Sequence, residues 1–244
     1  MRLVALAAIV FSAPLLPAAA PAPKAGLPRL LLASSNKGGN WNLYLIQAST
    51  GEVKRLTDQK ADDHSPVWSP DGKRIAFISD RGGSENIWTM KLDGTDLKQL
   101  TKEKSRWFLQ LQWSPDGSRI AYSAGGEARH HVYAVAVTTG KVARLSSGED
   151  SHTPSWSPDG KRLVYSCVRQ FPDWHTRVVN ADGTHDGKLA DNAIHARWSP
   201  DGKSLGYVRQ AALGRFVLTV SDPDGTNAKD LLPGVKAAAE WQPK

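Results

Sequence analysis

Residues 64–77 read His64-Ser65-Pro66-Val67-Trp68-Ser69-Pro70-Asp71-Gly72-Lys73-Arg74-Ile75-Ala76-Phe77. The pentapeptide at their centre, Trp68–Gly72, returns at Trp113–Gly117, Trp156–Gly160 and Trp198–Gly202. A degenerate copy stands at Trp241-Gln242-Pro243. Successive tryptophans are 45, 43, 42 and 43 residues apart. A period of about 40–45 residues built from short strands is the mark of a β-propeller, in which each repeat is one four-stranded sheet, or blade.

Working outward from the pentapeptide assigns four strands to a repeat. Strand A is short and ends at the tryptophan. Ser-Pro-Asp-Gly is the turn that follows. Proline pre-sets φ at the second position, aspartate tolerates the third, and Gly72, Gly117, Gly160 and Gly202 take positive φ. Strand B comes next in β-branched and aromatic runs such as Ile75-Ala76-Phe77-Ile78 and Leu163-Val164-Tyr165. Strand C follows a polar loop, as in Ile87-Trp88-Thr89-Met90, Val132-Tyr133-Ala134-Val135 and the shorter Val178-Val179. Asp93-Gly94, Asp182-Gly183 and Asp224-Gly225 signal tight turns between strands C and D. Strand D ends at Leu56-Thr57, Leu100-Thr101 and their equivalents. No segment sustains a 3.6-residue apolar period, so no long helix is predicted.

Complete repeats are expected over 64–101, 108–146, 151–190 and 194–232. The first repeat has strands B to D from Arg29 onward, and the last has only a strand A, Val235 to Trp241. Pairing that last strand with the first sheet completes a fifth blade and closes the ring, which removes long unpaired edges. The predicted fold is all-β, a five-bladed propeller over residues 29–244, with a six-bladed arrangement as the alternative. Trp68, Trp113, Trp156, Trp198 and Trp241 are expected to pack between neighbouring blades.

Residues 1–20 read as a secretion signal: Arg2, an apolar run from Leu3 to Leu16, then Ala18-Ala19-Ala20. The run is short of the roughly 20 residues that span a bilayer. Residues 21–28 read as a linker. The mature protein is therefore expected to be periplasmic or secreted, without membrane insertion after cleavage. Cys167 is the only cysteine, which excludes an intramolecular disulfide and a thiolate metal cluster. It is expected to be buried. Net charge is +7, but basic and acidic residues alternate through the repeats, and the densest basic clusters, Lys102-Lys104-Arg106 and Arg129-His130-His131, are short. No nucleic-acid motif is present and no nucleic-acid partner is expected.

Gly202-Lys203-Ser204-Leu205-Gly206 fits the G-x-S-x-G nucleophile pattern but opens a strand B, where Arg74, Arg119 and Arg162 are its equivalents. Asp222–Thr226 lacks the later glutamate of a calcium loop. No catalytic residue and no cofactor is assigned. The histidines remain. His64 and His152 lie four residues before their blade's tryptophan and His195 three before. Strand A starts there, so these side chains are expected at one mouth of the central channel, with Asp63 and Asp150 beside two of them. These five residues form the candidate binding rim. Three converging imidazoles would suit a transition metal. The plainer reading is polar repeat residues that satisfy strand ends.

The whole pattern, xxPxWSPDGKxIAFxS followed by NIWxMxxDGxxxxxLT, resembles the WD-like repeat of the TolB-type propellers, over about residues 29–243. The resemblance implies a periplasmic, protein-binding propeller of the Tol–Pal envelope system, with the peptidoglycan-associated lipoprotein as its partner. Two features depart from the family. Its members carry an α/β domain ahead of the propeller, and they usually have six blades. The expectation is a stand-alone, monomeric, non-enzymatic interaction scaffold. The alternative is a metal-assisted carbohydrate-active enzyme, a lyase or hydrolase, similar to propeller polysaccharide lyases in using channel-facing histidines.

Overall fold

The computed structural model describes residues 30–235 except 105–106, 127–128, 148–149, 171–172 and 213. The expected signal (1–20), the linker (21–28) and Trp241 lie outside the described residues. All regular structure among those described is β-strand. Blade 1 is β1 (Leu30–Ser35), β2 (Asn42–Gln47) and β3 (Val53–Arg55). Blade 2 is β4 (Asp63–Trp68), β5 (Arg74–Ser79), β6 (Asn86–Lys91) and β7 (Lys98–Gln99). Blade 3 is β8 (Trp107–Trp113), β9 (Arg119–Gly125), β10 (His130–Ala136) and β11 (Val142–Arg144). Blade 4 is β12 (Asp150–Trp156), β13 (Arg162–Gln170), β14 (Asp173–Asn180) and β15 (Gly187–Asp191). Blade 5 is β16 (Ala193–Trp198), β17 (Leu205–Ala212), β18 (Arg215–Ser221) and β19 (Lys229–Pro233).

Each blade is an antiparallel meander in chain order. The first strands β4, β8, β12 and β16 contact one another in succession and are the inner strands. The Ser-Pro-Asp-Gly turns are built as expected. Gly72 N–H donates to the Ser69 carbonyl at 2.9 Å, and Gly72 sits at φ 67°. The Ser69 hydroxyl donates to Asp71 Oδ1 at 2.7 Å and accepts from Arg74 N–H at 2.9 Å. The same bonds recur at Ser157–Arg162. The turns also touch across blades, since a Cβ placed on Gly117, Gly160 or Gly202 would meet the proline ring of the preceding turn at 3.7–3.8 Å.

Two elements differ from expectation. The Asp-Gly turns are longer than two-residue hairpins. Lys91 N–H reaches the Thr95 carbonyl, Asp93 Oδ1 accepts both the N–H and the hydroxyl of Thr95, and Asp96 is itself left-handed at φ 53°. The side-chain cap by aspartate stabilises this wider loop. Blade 4 is also taller than Val178-Val179 implied, because β13 and β14 pair from Arg162↔Asn180 to Gln170↔Asp173. Cys167 lies inside β13 and is fully buried.

The core lies between blades. Trp113 packs with Ile78, Ile87 and Leu100 of blade 2, and Trp156 with Ala121 and Val132 of blade 3. Each buried tryptophan contributes on the order of 4–6 kcal/mol as an upper bound. A cation seals two of these seams. The Arg119 guanidinium lies 4.7 Å from the ring centroid of Trp156, and Arg162 lies 4.8 Å from that of Trp198.

Candidate functional site

The meander puts the A–B and C–D turns on one face and the B–C loops and D–A connections on the other. The second face carries the candidate rim. There every inner strand of blades 2–5 has a bulge. Register shifts fall between His64/Val67, Leu109/Gln112, His152/Ser155 and Ile194/Arg197. Within each shift one residue is left-handed: Ser65, Gln110, Thr153 or His195, at φ 51–58°. Each stands three residues before its tryptophan. Bulges re-aim side chains, so His195, which occupies the left-handed position itself, is not the counterpart of His64 and His152. Its N–H donates to Ser166 Oγ of blade 4 at 2.9 Å, and Ser166 shares a 2.6 Å hydrogen bond with Thr153. Burial first, then Arg197 and His152, push the His195 imidazole below its ordinary pKa.

The predicted rim residues part company. Asp63 is fully buried, and Nη2 of Arg81 donates to both its oxygens at 2.7 and 2.6 Å. Arg81 in turn lies over the rings of Phe77 and Trp88. Asp63 is therefore a structural ion-pair member and leaves the rim. The physical reason is alternation along β4: Asp63 and His64 are adjacent in sequence but point to opposite faces. His64 turns to its own blade, with Nε2 3.3 Å from Glu85 Oε1 and Nδ1 3.1 Å from Ser65 Oγ.

His152 and Asp150 do meet. His152 Nε2 is 3.1 Å from Asp150 Oδ1, and His130 Nδ1 of blade 3 is 3.5 Å from the same oxygen. The two imidazoles stand 5.0 Å apart between centroids. Asp150 Oδ1 also accepts the His130 backbone N–H at 2.6 Å. Burial pushes the Asp150 carboxyl up, but the His130 N–H and the two imidazoles outweigh it and hold it below the usual carboxylate range. Burial and the neighbouring His152 push His130 down, against the pull of Asp150.

Sequence reasoning passed over His130 as part of a short basic cluster. The signal was present in the repeat. Asp62, the counterpart of Asp150, accepts the N–H of Trp41 just ahead of β2, as Asp150 does that of His130 at the head of β10. Aligning these caps brings the end of one blade's B–C loop to the start of the next blade's inner strand. The same face exposes large apolar side chains: Trp41 at 40%, Trp107 at 55% and Leu109 at 43%. Two shallow cavities, about 350 and 380 Å³, lie elsewhere. One is at the turns of blades 4 and 5, lined by Pro158, Arg162 and Trp198, and the other at the outer strands of blades 2 and 3, lined by Lys98 and Thr139.

The family profile of the TolB beta propeller domain matches residues 16–201, well over half of the chain. The Tol-Pal system protein TolB of Francisella tularensis subsp. mediasiatica (strain FSC147) is 40% identical over 75 residues, 30% of this chain and 17% of that protein. The chain thus matches under a fifth of the length of that curated relative. Among solved structures, TolB from Acinetobacter baumannii has a TM-score of 0.64 at 20% identity, covering 86% of this chain and 52% of that one. An oligogalacturonate lyase in complex with manganese has a TM-score of 0.70 at 17% identity, covering 84% and 62%. At such identities these two show the fold alone, and one fold hosts both binding proteins and enzymes. With blade pattern, turn chemistry and profile in agreement, the chain belongs to the TolB β-propeller domain family.

Proposed function

We propose that this chain is an exported, monomeric interaction scaffold of the cell envelope, non-enzymatic, that grips a protein partner with the B–C loop face. The observation that carries the reading is the set of exposed apolar side chains, Trp41, Trp107 and Leu109, on loops and strand starts held by rigid sheets. Exposed aromatics on a rigid frame are the usual anchors of protein recognition. The name of the curated relatives, a Tol-Pal system protein, supports a peptidoglycan-associated envelope lipoprotein as the partner class. The signal-like first 20 residues support export to the periplasm.

The direct test is titration of the purified chain with the soluble domain of the peptidoglycan-associated lipoprotein of the same organism. Binding at about 1 µM or tighter is expected, weakened at least tenfold by Trp107→Ala with Leu109→Ala. No binding at about 100 µM would dispose of that partner. The His130–Asp150–His152 group favours a second reading, a metal-assisted lyase or hydrolase on acidic glycans. It predicts chelator-sensitive cleavage of an acidic polysaccharide, and intact polymer after prolonged incubation would remove it.

A further inference from the structure

We infer that His130, Asp150 and His152 form a binding site for one divalent transition metal ion of the zinc class. Among the described residues they are the one group of three or more His, Cys, Asp or Glu side chains whose ligand atoms all lie within 4.8 Å of one another. Ligands held at about 2.0–2.2 Å from a tetrahedral ion stand roughly 3.4 Å apart. The separations of Asp150 Oδ1 from His152 Nε2 and His130 Nδ1, 3.1 and 3.5 Å, bracket that edge. At present both nitrogens face a single carboxylate oxygen, and a cation between them would take the place of the shared protons.

The frame is already built. His130 opens β10 and Asp150 and His152 open β12, so two adjacent sheets fix the backbone of all three ligands. The His130 N–H bond to Asp150 Oδ1 ties one ligand to the other, the kind of outer support that metal ligands require. The side chains are 16%, 32% and 26% exposed, so an ion can enter and water can complete its shell. Two imidazoles and one carboxylate suit zinc and its neighbours better than calcium or magnesium, which prefer oxygen alone. Three protein ligands with an open position is the arrangement of a reactive zinc site. The assignment is independent of the partner and of any glycan activity, because its readout is metal binding.

The test is calorimetric titration of the chelator-treated full chain with zinc chloride. One equivalent per chain is expected, at about 1 µM or tighter, with calcium chloride giving no heat. His130→Asn and His152→Asn should each weaken zinc by about 100-fold or more, while His64→Asn, whose Nε2 faces Glu85 in blade 2, should leave it unchanged. Zinc-edge X-ray absorption of the unmutated chain should show two imidazoles per metal, a measurement that does not depend on the variants folding. Absence of binding, binding that survives loss of His130 and His152, or a shell with fewer than two imidazoles overturns the site.

Discussion

Gly225 and Gly94 occupy equivalent turns at φ 85° and 87°, yet they differ in what lies beyond the missing side chain. A Cβ on Gly225 would stand 2.6 Å from the Leu189 carbonyl of the preceding blade, whereas on Gly94 it would stand 3.8 Å from that of Leu56. Gly94→Ala should therefore lose only the left-handed preference, about 1–2 kcal/mol. Gly225→Ala should lose that plus about 1–3 kcal/mol of overpacking between blades 4 and 5. Urea unfolding of the two variants compares them, and equal losses would mean that blade 5 yields freely. Asp63 and Arg81 make a second case. Arg81→Met strands a buried carboxylate and should cost about 3–5 kcal/mol, most of it recovered in Asp63→Asn/Arg81→Met. An additive double variant would show that the pair is not coupled. Asp63 and His130 show where sequence alone stops short of side-chain direction. Asp63 looks like a rim residue because His64 follows it, and only the pleat reveals that it faces Arg81. His130 is hard to single out because its partners belong to another blade, and only the repeat of Asp62 at Asp150 points to it.

The Ser-Pro-Asp-Gly turn was readable because its chemistry is complete within six residues. The inner-strand bulge was not, since Ser65, Gln110, Thr153 and His195 share a backbone conformation but no residue type. The turn's carboxylates also give the molecule an acid limit. The Ser69 hydroxyl holds Asp71 below the usual carboxylate range. At Asp116 and Asp159 burial pushes up, but the serine hydroxyls, the N–H groups and the nearby cations outweigh it. A carboxyl depressed in the folded state stabilises fully above its unfolded pKa, near 3.9, and loses that contribution as pH falls through the lower folded value. Urea midpoints should slip as pH falls from about 7 to 5, because the unfolded chain protonates imidazoles that the fold holds low at His130 and His195, and should fall more steeply below about pH 4 as the turn carboxylates protonate. Ser157→Ala should cost about 1 kcal/mol at neutral pH and make the acid fall shallower. An unchanged acid profile would move the sensitivity to other carboxylates, such as Asp186, which burial raises but Tyr165 and Arg177 hold low.

At the scale of the whole molecule, blade 1 departs from the others. Blades 2 to 5 each have an inner strand, while β1 is the first strand of a three-stranded sheet. Matching Asn42 to Asn86 places Leu31 where Ile75 stands and Leu32 where Ala76 stands. Ile75 is fully buried and Leu31 is 54% exposed, and in blade 2 it is Trp68 and Val67 that pair with Ile75 and Ala76. Trp68 itself is only half-buried, whereas Trp113 donates to Val67 of the blade before it. One added strand would cover all of these groups. The repeat register predicts such a strand from the sequence, with Trp241 expected opposite Leu31 and Glu240 opposite Leu32. Directly opposed residues in a sheet stand about 4.5–5.5 Å apart at Cβ, close enough for a disulfide once the backbone relaxes slightly. Leu32→Cys/Glu240→Cys in a Cys167→Ser background should form an intramolecular crosslink on mild oxidation. Because the crosslink closes a loop of some 200 residues, it should raise Tm by several degrees over the reduced form. If the expected closing strand forms, truncation after Gly234 should lower Tm, because it leaves the edge of blade 1 unpaired. Crosslinked dimers instead of monomers would mean that the closing strand is exchanged between chains. Failure to crosslink, with no loss of stability on truncation, would mean that the ring closes some other way.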